Sequence, residues 1–558
     1  MPSRSSLGIH IGHDRGAAIV RDGFLVAQIA EERLDRVKHS NSPELPIKSI
    51  RAALEMARIK PGELGIVGIS YTNVNIHGIL SQLAAEVHDL LGSNTTVLGV
   101  SHHECHAWST YCTSGLGRAL ILVADGSGDF VGDRLEAESV YLGEKGRVRL
   151  LAQRLQDVGL TRTDRRNAFS LAYMNSSDRI KQISLGRKYE QFTYLLGFRH
   201  GQAGKTMALA SYARPLFTTS QPKGQGLTFS LTFEDGLVEL DHLWRESGES
   251  WHRYLKEHAP GIASAAQQML EVYMCNIVNC IGVSDFDGLL CAAGGVFLSC
   301  RLNHHLLLHT PVKHLHVIPA AGDDGQCIGA AFAAYAAAFE SPEPSLESLP
   351  YLGCEYSEEE ISERLRYFKL EFEVLSDGDL AMCLASDLSK GLVVGLLRGR
   401  SESGPRALCH RSLLADPRPN QMKDKLNLLK GRELFRPFAP VVVEEEQFTY
   451  FDLAQASPYM LLAALVRDKY RSKLSAITHV DGTARVQAVS STGEPFMHSL
   501  LSAFRTLTGF PVLLNTSFNL AGEPIVDSPH DAIVAFLRSD IDILVLGNHY
   551  VRKAPAAQ

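Results

Sequence analysis

"LILVADGSGD", residues 120–129, passes from five apolar residues into a glycine turn that carries two aspartates. A short apolar run bounded by turn residues reads as a buried strand, and the turn at its end presents Asp125. The N-terminal stretch "LGIHIGHDRGAAIVRDGFLVAQIAEE" (7–32) follows a related plan: strand, polar turn, strand, Asp-Gly turn, strand. That is a β-meander. The plan recurs in "ALILVADGSGDFVGDRLEAESVYLGEKGRVRLLAQ" (119–153). Two such modules, each followed by helical segments, predict a duplicated α/β domain with a cleft between its halves. Two later glycine turns, "CAAGGVFLSCRLN" (291–303) and "PAAGDDGQCIGAAFAAYAAAF" (319–339), each run into a helix whose first N–H groups suit an anion.

This duplicated plan is similar to the actin, hexokinase and Hsp70 superfamily, in which Asp-Gly turns face nucleotide phosphates. The chain has 558 residues, enough for two or three domains. After the Ala-rich helix ends near Phe339, "ESPEPSLESLPYLG" is rich in Pro, Ser and Glu and lacks periodicity, which places a domain boundary within 340–355. The expected domains are residues 1–345 and 355–558. In the second, "SEEEISERLRYF" predicts a capped helix, and "GLVVGLLRG", "FAPVVVEEE", "ARVQAV", "PVLLNTSF" and "IDILVLG" predict strands of a further α/β domain. A net charge of −7 offers no general field for nucleic acid or an anionic membrane. No signal-peptide core and no membrane-spanning apolar run is seen, so a cytoplasmic protein is expected. Ten dispersed cysteines without a C-x-x-C pair suit reduced thiols.

Two stretches carry chemistry. In "SHHECHAW" (101–108) a helix would set His102 and His106 on one face, one turn apart, with His103 elsewhere. The zinc-protease spacing H-E-x-x-H is not met. Asp125 and Asp323, each at a turn facing the expected cleft, supply two oxygen ligands. Two imidazoles with carboxylates favour Fe(II), Zn(II) or Mn(II) over Ca(II). The second stretch, Arg398–Arg436, is dense in Lys and Arg and poor in acids, and many of its arginines flank Gly, Pro and Ser rather than sitting at helix spacing. With Arg485 and the "LNTSFN" segment it offers guanidinium forks, an amide and a hydroxyl, the donors a phosphate or acyl phosphate needs.

Nearly end to end, the chain resembles the NodU/CmcH family of O-carbamoyltransferases. The resemblance rests on "HDRGAAIVRDG", "EERLDRVKH", "HHECHA", "ADGSGD", "GKTMALASYA", "GGVFLSC", "GDDGQCIGAA", "GPRALCHRSLLADPR", "RPFAPVV", "THVDGTARVQ" and "LLNTSFNLAGEPIVDSP". It implies an N-terminal domain like the tRNA threonylcarbamoyltransferase and a C-terminal YrdC-like domain. The C-terminal site would make carbamoyl-adenylate from carbamoyl phosphate and ATP, with Mg accompanying the ATP. The N-terminal site would pass the carbamoyl group to a hydroxyl of a small natural product. Iron is the metal implied first. The resemblance further implies His13 as general base and Gly126, Gly128, Gly204, Lys205, Gly294 and Gly295 as nucleotide contacts. Arg406, Arg411, Lys430, Arg436, Arg485, Asn515 and Ser517 fall where the family holds carbamoyl phosphate or ATP. No nucleic acid or membrane partner is implied. The acceptor's identity (sugar, macrolide, ansamycin, aminoglycoside or nodulation factor) and the oligomeric state are left open.

Three residues of "GRSESGPRALCHRS" depart from the family's usual G-R-x-E-F-G-P-R-A-L-G-N-R-S: Ser403, Cys409 and His410 replace Phe, Gly and Asn. Ser299 stands where Asn is common. The sequence also admits two other readings, a tRNA threonylcarbamoylation enzyme and a nonenzymatic nucleotide-binding regulator.

Overall fold

Each glycine-turn meander folds as antiparallel strands in the computed structural model, which describes residues 4–72, 74, 76–157, 183–218, 236–347 and 349–553. The first gives β1 (Ser5–His13), β2 (Gly16–Arg21) and β3 (Phe24–Ala30). A two-residue β4 (Asn41–Ser42) pairs with β1, and β5 (Ile66–Tyr71) and β6 (Thr96–Gly99) add in parallel, for the order β3-β2-β1-β5-β6. The second meander gives β7 (Arg118–Ala124), the short β8 (Phe130–Val131), β9 (Arg134–Glu144) and β10 (Arg147–Asp157). Then β11 (Leu289–Ala293) and β12 (His314–Val317) extend it in parallel, for the order β10-β9-β7-β11-β12. The two sheets share one topology, the duplicated actin/hexokinase/Hsp70-like plan expected from the sequence.

A helix of small residues, Gln326–Ala338, joins the halves by packing on β1, β2 and β5 and on the helix His102–Cys112. Close approach is what its glycine and alanines permit. A Cβ on Gly8 would lie 1.9 Å from the Cys327 carbonyl oxygen, and one on Gly329 would lie 1.8 Å from that of Cys105. The helix that begins beside Asp323 is thereby fixed against the helix that carries His102 and His106.

The third sheet runs from β13 (Glu373–Val374) and β14 (Val394–Leu397) through β15 (Arg411–Ala415), β16 (Ala439–Val443), β17 (Leu462–Leu465), β18 (Thr483–Val489), β19 (Val512–Ser517) and β20 (Ile543–Leu546) to β21 (His549–Arg552). Its order is β13-β21-β20-β14-β15-β19-β16-β18-β17. Alternation decides its two faces. Leu396, Leu414, Ile543 and Val545 meet the helices Asp377–Ser389 and Pro495–Thr508 on one side, while Leu397, Leu413, Leu544 and Leu546 meet Glu358–Tyr367 and Pro529–Leu537 on the other. The result is a three-layer α/β/α arrangement.

The chain divides into two compact units. One comprises Met1–Leu25, Ser42–Leu45 and Ile59–Glu347; the other comprises Val26–Asn41, Pro46–Arg58 and Ser348–Gln558. All ten cysteines are free thiols, and among the described residues no helix is long and apolar enough to cross a membrane.

Candidate metal centre and cationic cluster

In the N-terminal unit, "HHECHA" opens the helix His102–Cys112, so His102 and His106 share a face and His103 turns away to Ser139, 2.7 Å from its hydroxyl. Asp125 directly follows β7 and Asp323 precedes the helix Gln326–Ala338. The Nε2 of His102 lies 3.2 Å from Asp125 and 3.4 Å from Asp323; that of His106 lies 3.1 and 3.6 Å from the same carboxylates. One N–H cannot serve two carboxylates equally. An ion about 2.1 Å from each ligand sets neighbouring ligands about 3.0–3.4 Å apart, close to these separations. The four ligand atoms fall within 4.8 Å of one another, so the donor set fits a divalent cation.

Electrostatics say the same. Burial pulls His102 down, but the Asp323 charge and the bonds to Asp125 and Asp323 outweigh it and raise it well above its usual value. His106 is raised by the same carboxylates against the same burial. Burial opposes ionisation of Asp323 and Asp125, yet the histidines hold both below the usual carboxylate range. The group needs compensating positive charge, from protons or from a metal.

Supporting contacts fix the ligands. Asp125 turns its other oxygen to the N–H groups of Gly126 (2.6 Å) and Gly295 (3.3 Å), so two of the expected nucleotide glycines hold a carboxylate of the candidate metal group. Thr72 donates to Asp323 at 3.2 Å and lies 3.2 Å from His10, whose other nitrogen meets Ser70 at 2.8 Å. Burial pushes His10 down to about 4, so it stays neutral. Asp129 caps the histidine-bearing helix by accepting the His102 N–H at 2.9 Å. His10, Thr72 and Asp129 carried no sequence signal beyond their neighbourhood.

His13 lies beside this group. Its Nδ1 is 3.1 Å from Asp14 and 3.6 Å from Asp323, and its Nε2 is 3.1 Å from His200. Burial lowers it, but Asp323, Asp14 and Asp125 together raise it to about 9. His200 in turn bonds Glu190. Gly204 and Lys205 lie on the helix Ala203–Leu209, set beside Ser299 by a 3.5 Å contact from its hydroxyl to Met207. Ser299 itself caps the helix Cys300–His309, a task Asn performs equally well. Gly128 is confined for packing reasons: a Cβ there would lie 2.3 Å from a Glu136 oxygen.

The C-terminal unit gathers a second constellation. Lys430, 1% exposed, donates to the Ser517 carbonyl, to the Asn519 carbonyl at 3.0 Å and to the Asn519 side chain at 2.8 Å. Arg432 reaches the Ser517 hydroxyl at 3.4 Å. Burial and the charges of Arg432, Arg436 and Lys38 push Lys430 well below its usual value. Burial, then Arg436 and Arg485, against Glu433 and with Arg406, lower Arg432 to about 9. Cations are thus crowded at one place with Glu433 the one acid among these influences. Such a cluster suits a polyanion. Lys38, Arg432 and Asn519 were missed as site residues, although Lys38 lies in "EERLDRVKH" and Arg432 in the arginine-rich stretch.

Two expected phosphate ligands sit differently. Arg411 is fully buried, and its guanidinium donates to five backbone carbonyls, those of Asp527, Arg398, Gly399, His410 and Cys354, at 2.9–3.2 Å. It braces loops rather than facing a ligand. Asn515, also fully buried, donates to Gln487 at 2.8 Å and approaches the Cys409 sulfur at 3.6 Å. Cys409 has φ 87°, left-handed geometry that glycine takes freely, which explains the family's usual glycine there. His410 stacks on Tyr351 with ring centroids 3.7 Å apart.

Comparison with known proteins bears on both units. The family profile "Carbamoyltransferase N-terminus" matches residues 68–332, and "Carbamoyltransferase C-terminus" matches 385–553. Nodulation protein NolNO of Sinorhizobium fredii is 33% identical over 98% of this chain and 80% of its own length. The 3'-hydroxymethylcephem-O-carbamoyltransferase of Amycolatopsis lactamdurans is 36% identical over 47% of this chain and 48% of its own. Among solved structures, T. kodakarensis HypF covers 61% of this chain and 49% of its own at 14% identity and a TM-score of 0.41.

Proposed function

The chain belongs to the carbamoyltransferase family, and from that premise we propose that it is an ATP-dependent O-carbamoyltransferase with two half-reactions in its two units. In a YrdC-like C-terminal site, carbamoyl phosphate loses phosphate to water. The carbamate oxygen then bonds the α-phosphorus of Mg-bound ATP, pyrophosphate leaves, and carbamoyl-adenylate results. In the N-terminal site an alcohol oxygen bonds the carbamoyl carbon and AMP leaves.

What carries this reading is the pairing, in one chain, of a two-imidazole, two-carboxylate group with a separate cationic cluster. Arg432, with Arg406, Arg436, Arg485 and Lys38, holds the phosphates of the first half-reaction, and Lys430, whose three N–H groups serve Ser517 and Asn519, completes the same cationic cluster. His102, His106, Asp125 and Asp323 would hold a divalent ion, Fe(II) first and Zn(II) or Mn(II) otherwise. When bound, that ion supplies Lewis acidity and a counter-charge for an anionic oxygen. His13 takes the acceptor's proton. It does so once the negative charge that raises it is cancelled, because its elevated value comes from Asp323, Asp14 and Asp125. Gly126, Gly128, Gly204, Lys205, Gly294 and Gly295 would border the nucleotide. The acceptor is a small hydroxylated natural product.

The test supplies ATP and carbamoyl phosphate with a panel of hydroxylated natural products, and reads pyrophosphate together with carbamoyl addition by mass spectrometry. Synthetic carbamoyl-adenylate should rescue transfer in Lys430→Ala or Arg485→Ala but not in His106→Ala. Failure to rescue either C-terminal variant, while the wild type uses the adenylate, sinks the two-site scheme.

A further inference from the structure

The helix Leu185–Leu195 begins against the metal-ligand loop. A Cβ on Gly186 would lie 2.6 Å from the Asp125 carbonyl oxygen and 2.8 Å from the Gly126 nitrogen, so the first turn can approach no closer. The loop is tied to that turn from both sides. Ser184, the helix cap, donates its hydroxyl to the Gly126 carbonyl at 2.6 Å, and Gln156 donates to the same oxygen at 3.1 Å.

Arg187 projects from this turn onto the loop. Its Nη2 lies 3.3 Å from the Ser127 hydroxyl and its Nη1 lies 2.9 Å from Glu190. These bonds use two of five guanidinium donors, and the side chain is 26% exposed, so the fork is held in place and still open to a ligand. Glu190 is a hub: it also accepts from Tyr194 at 2.9 Å and bonds His200. Burial opposes its charge, but His200 and Arg187 hold it down at about 2, so it stays ionised.

Charge gives this placement a use. A divalent ion held by Asp125 and Asp323 is neutralised by them, since the two imidazoles coordinate uncharged. An anionic phosphoryl group arriving at that centre needs a further cation. Arg187 is placed on the loop that begins at Asp125 to provide it.

We propose that Arg187 binds the phosphate of the adenylate co-substrate in the N-terminal unit and that Glu190 is the positioning residue that aims its guanidinium. The inference rests on the reading that this unit consumes an acyl adenylate.

The test uses AMP and full-length protein loaded with Mn(II), following paramagnetic broadening of the AMP phosphorus resonance. Broadening reports nucleotide near the metal, and His106→Ala, which lacks one candidate ligand, gives the background from nucleotide bound elsewhere. Arg187→Ala should weaken the broadening-derived AMP affinity about ten- to hundredfold, as expected for losing a charged donor pair, with Arg187→Lys recovering part of it. Glu190→Gln should weaken it about three- to tenfold in the wild-type background and have no further effect in Arg187→Ala, as a positioning role requires. Unchanged Mn(II) stoichiometry and melting temperature in Arg187→Lys keep folding out of the comparison. Undiminished AMP affinity in both Arg187 variants, with clear broadening in wild type, overturns the role of Arg187 alone. No Mn(II)-dependent broadening in wild type overturns the adenylate reading of this unit, and the inference with it.

Discussion

Loading the His102, His106, Asp125 and Asp323 group with a divalent ion should release protons, and their number follows from the geometry. Both imidazoles present Nε2 to the two carboxylates, and both are raised above the ordinary histidine value. The direction of both shifts favours the protonated imidazole, so protons compete with a metal for the nitrogens that must coordinate. A coordinated Nε2 carries none, so binding displaces up to about two protons from the pair, and neutralising Asp323 also favours proton loss from His13. The sign follows. Raised values keep protons competing with metal to higher pH, so affinity climbs as pH rises and levels off once the imidazoles are neutral. With two protons displaced, the affinity changes by up to about a hundredfold per pH unit in the competing range. Zn(II) or Mn(II) titrated calorimetrically in two buffers of different ionisation enthalpy gives the proton count directly. Tight one-to-one binding with no proton release would refute the electrostatic account of the site.

Arg411→Lys should destabilise the C-terminal unit by about 3 kcal/mol or more, because lysine cannot serve the buried carbonyls that the guanidinium bridges; chemical denaturation monitors this. Lys430→Met, similar in length but uncharged, should abolish pyrophosphate release while leaving metal content unchanged, as elemental analysis would show. Gly329→Val should lower the melting temperature and the metal occupancy together, since the added side chain meets the Cys105 backbone of the helix that carries His102 and His106. Cys409→Gly relieves a left-handed cysteine and should leave the fold intact or stabilise it by about 0.5–1 kcal/mol, with thermal unfolding as the measure.

The meanders were legible because both signals are local: an apolar run and a glycine turn need no knowledge of the partner strand. The helix spacing of His102 and His106 was legible for the same reason. Their convergence on Asp323, 217 residues after His106, was read only through the recurrence of Asp-bearing turns and the family pattern. Arg411 shows where such reading fails. In sequence it is one more arginine beside glycine and proline, and only the backbone carbonyls brought round it by β14, β15 and the loops at Cys354 and Asp527 reveal that its charge is consumed by the fold.

A cut at a single linker also has a physical flaw. The composition break expected within 340–355 would give one cut, yet Val26–Asn41 and Pro46–Arg58 group with the C-terminal unit. Within that unit Arg36 donates to the Ile525 carbonyl at 2.7 Å, Arg33 to the Gly404 carbonyl at 3.0 Å, and Arg400 to the Val26 carbonyl at 2.9 Å. Such charged donors on buried or half-buried carbonyls leave unsatisfied groups when their segment is removed, at a cost of about 1–3 kcal/mol each. The same segment brings Lys38 close enough to act on Lys430. A fragment beginning at residue 348 therefore lacks both part of its packing and one member of the cationic cluster around Lys430. An early stretch of sequence completes a cluster whose other residues lie hundreds of positions later.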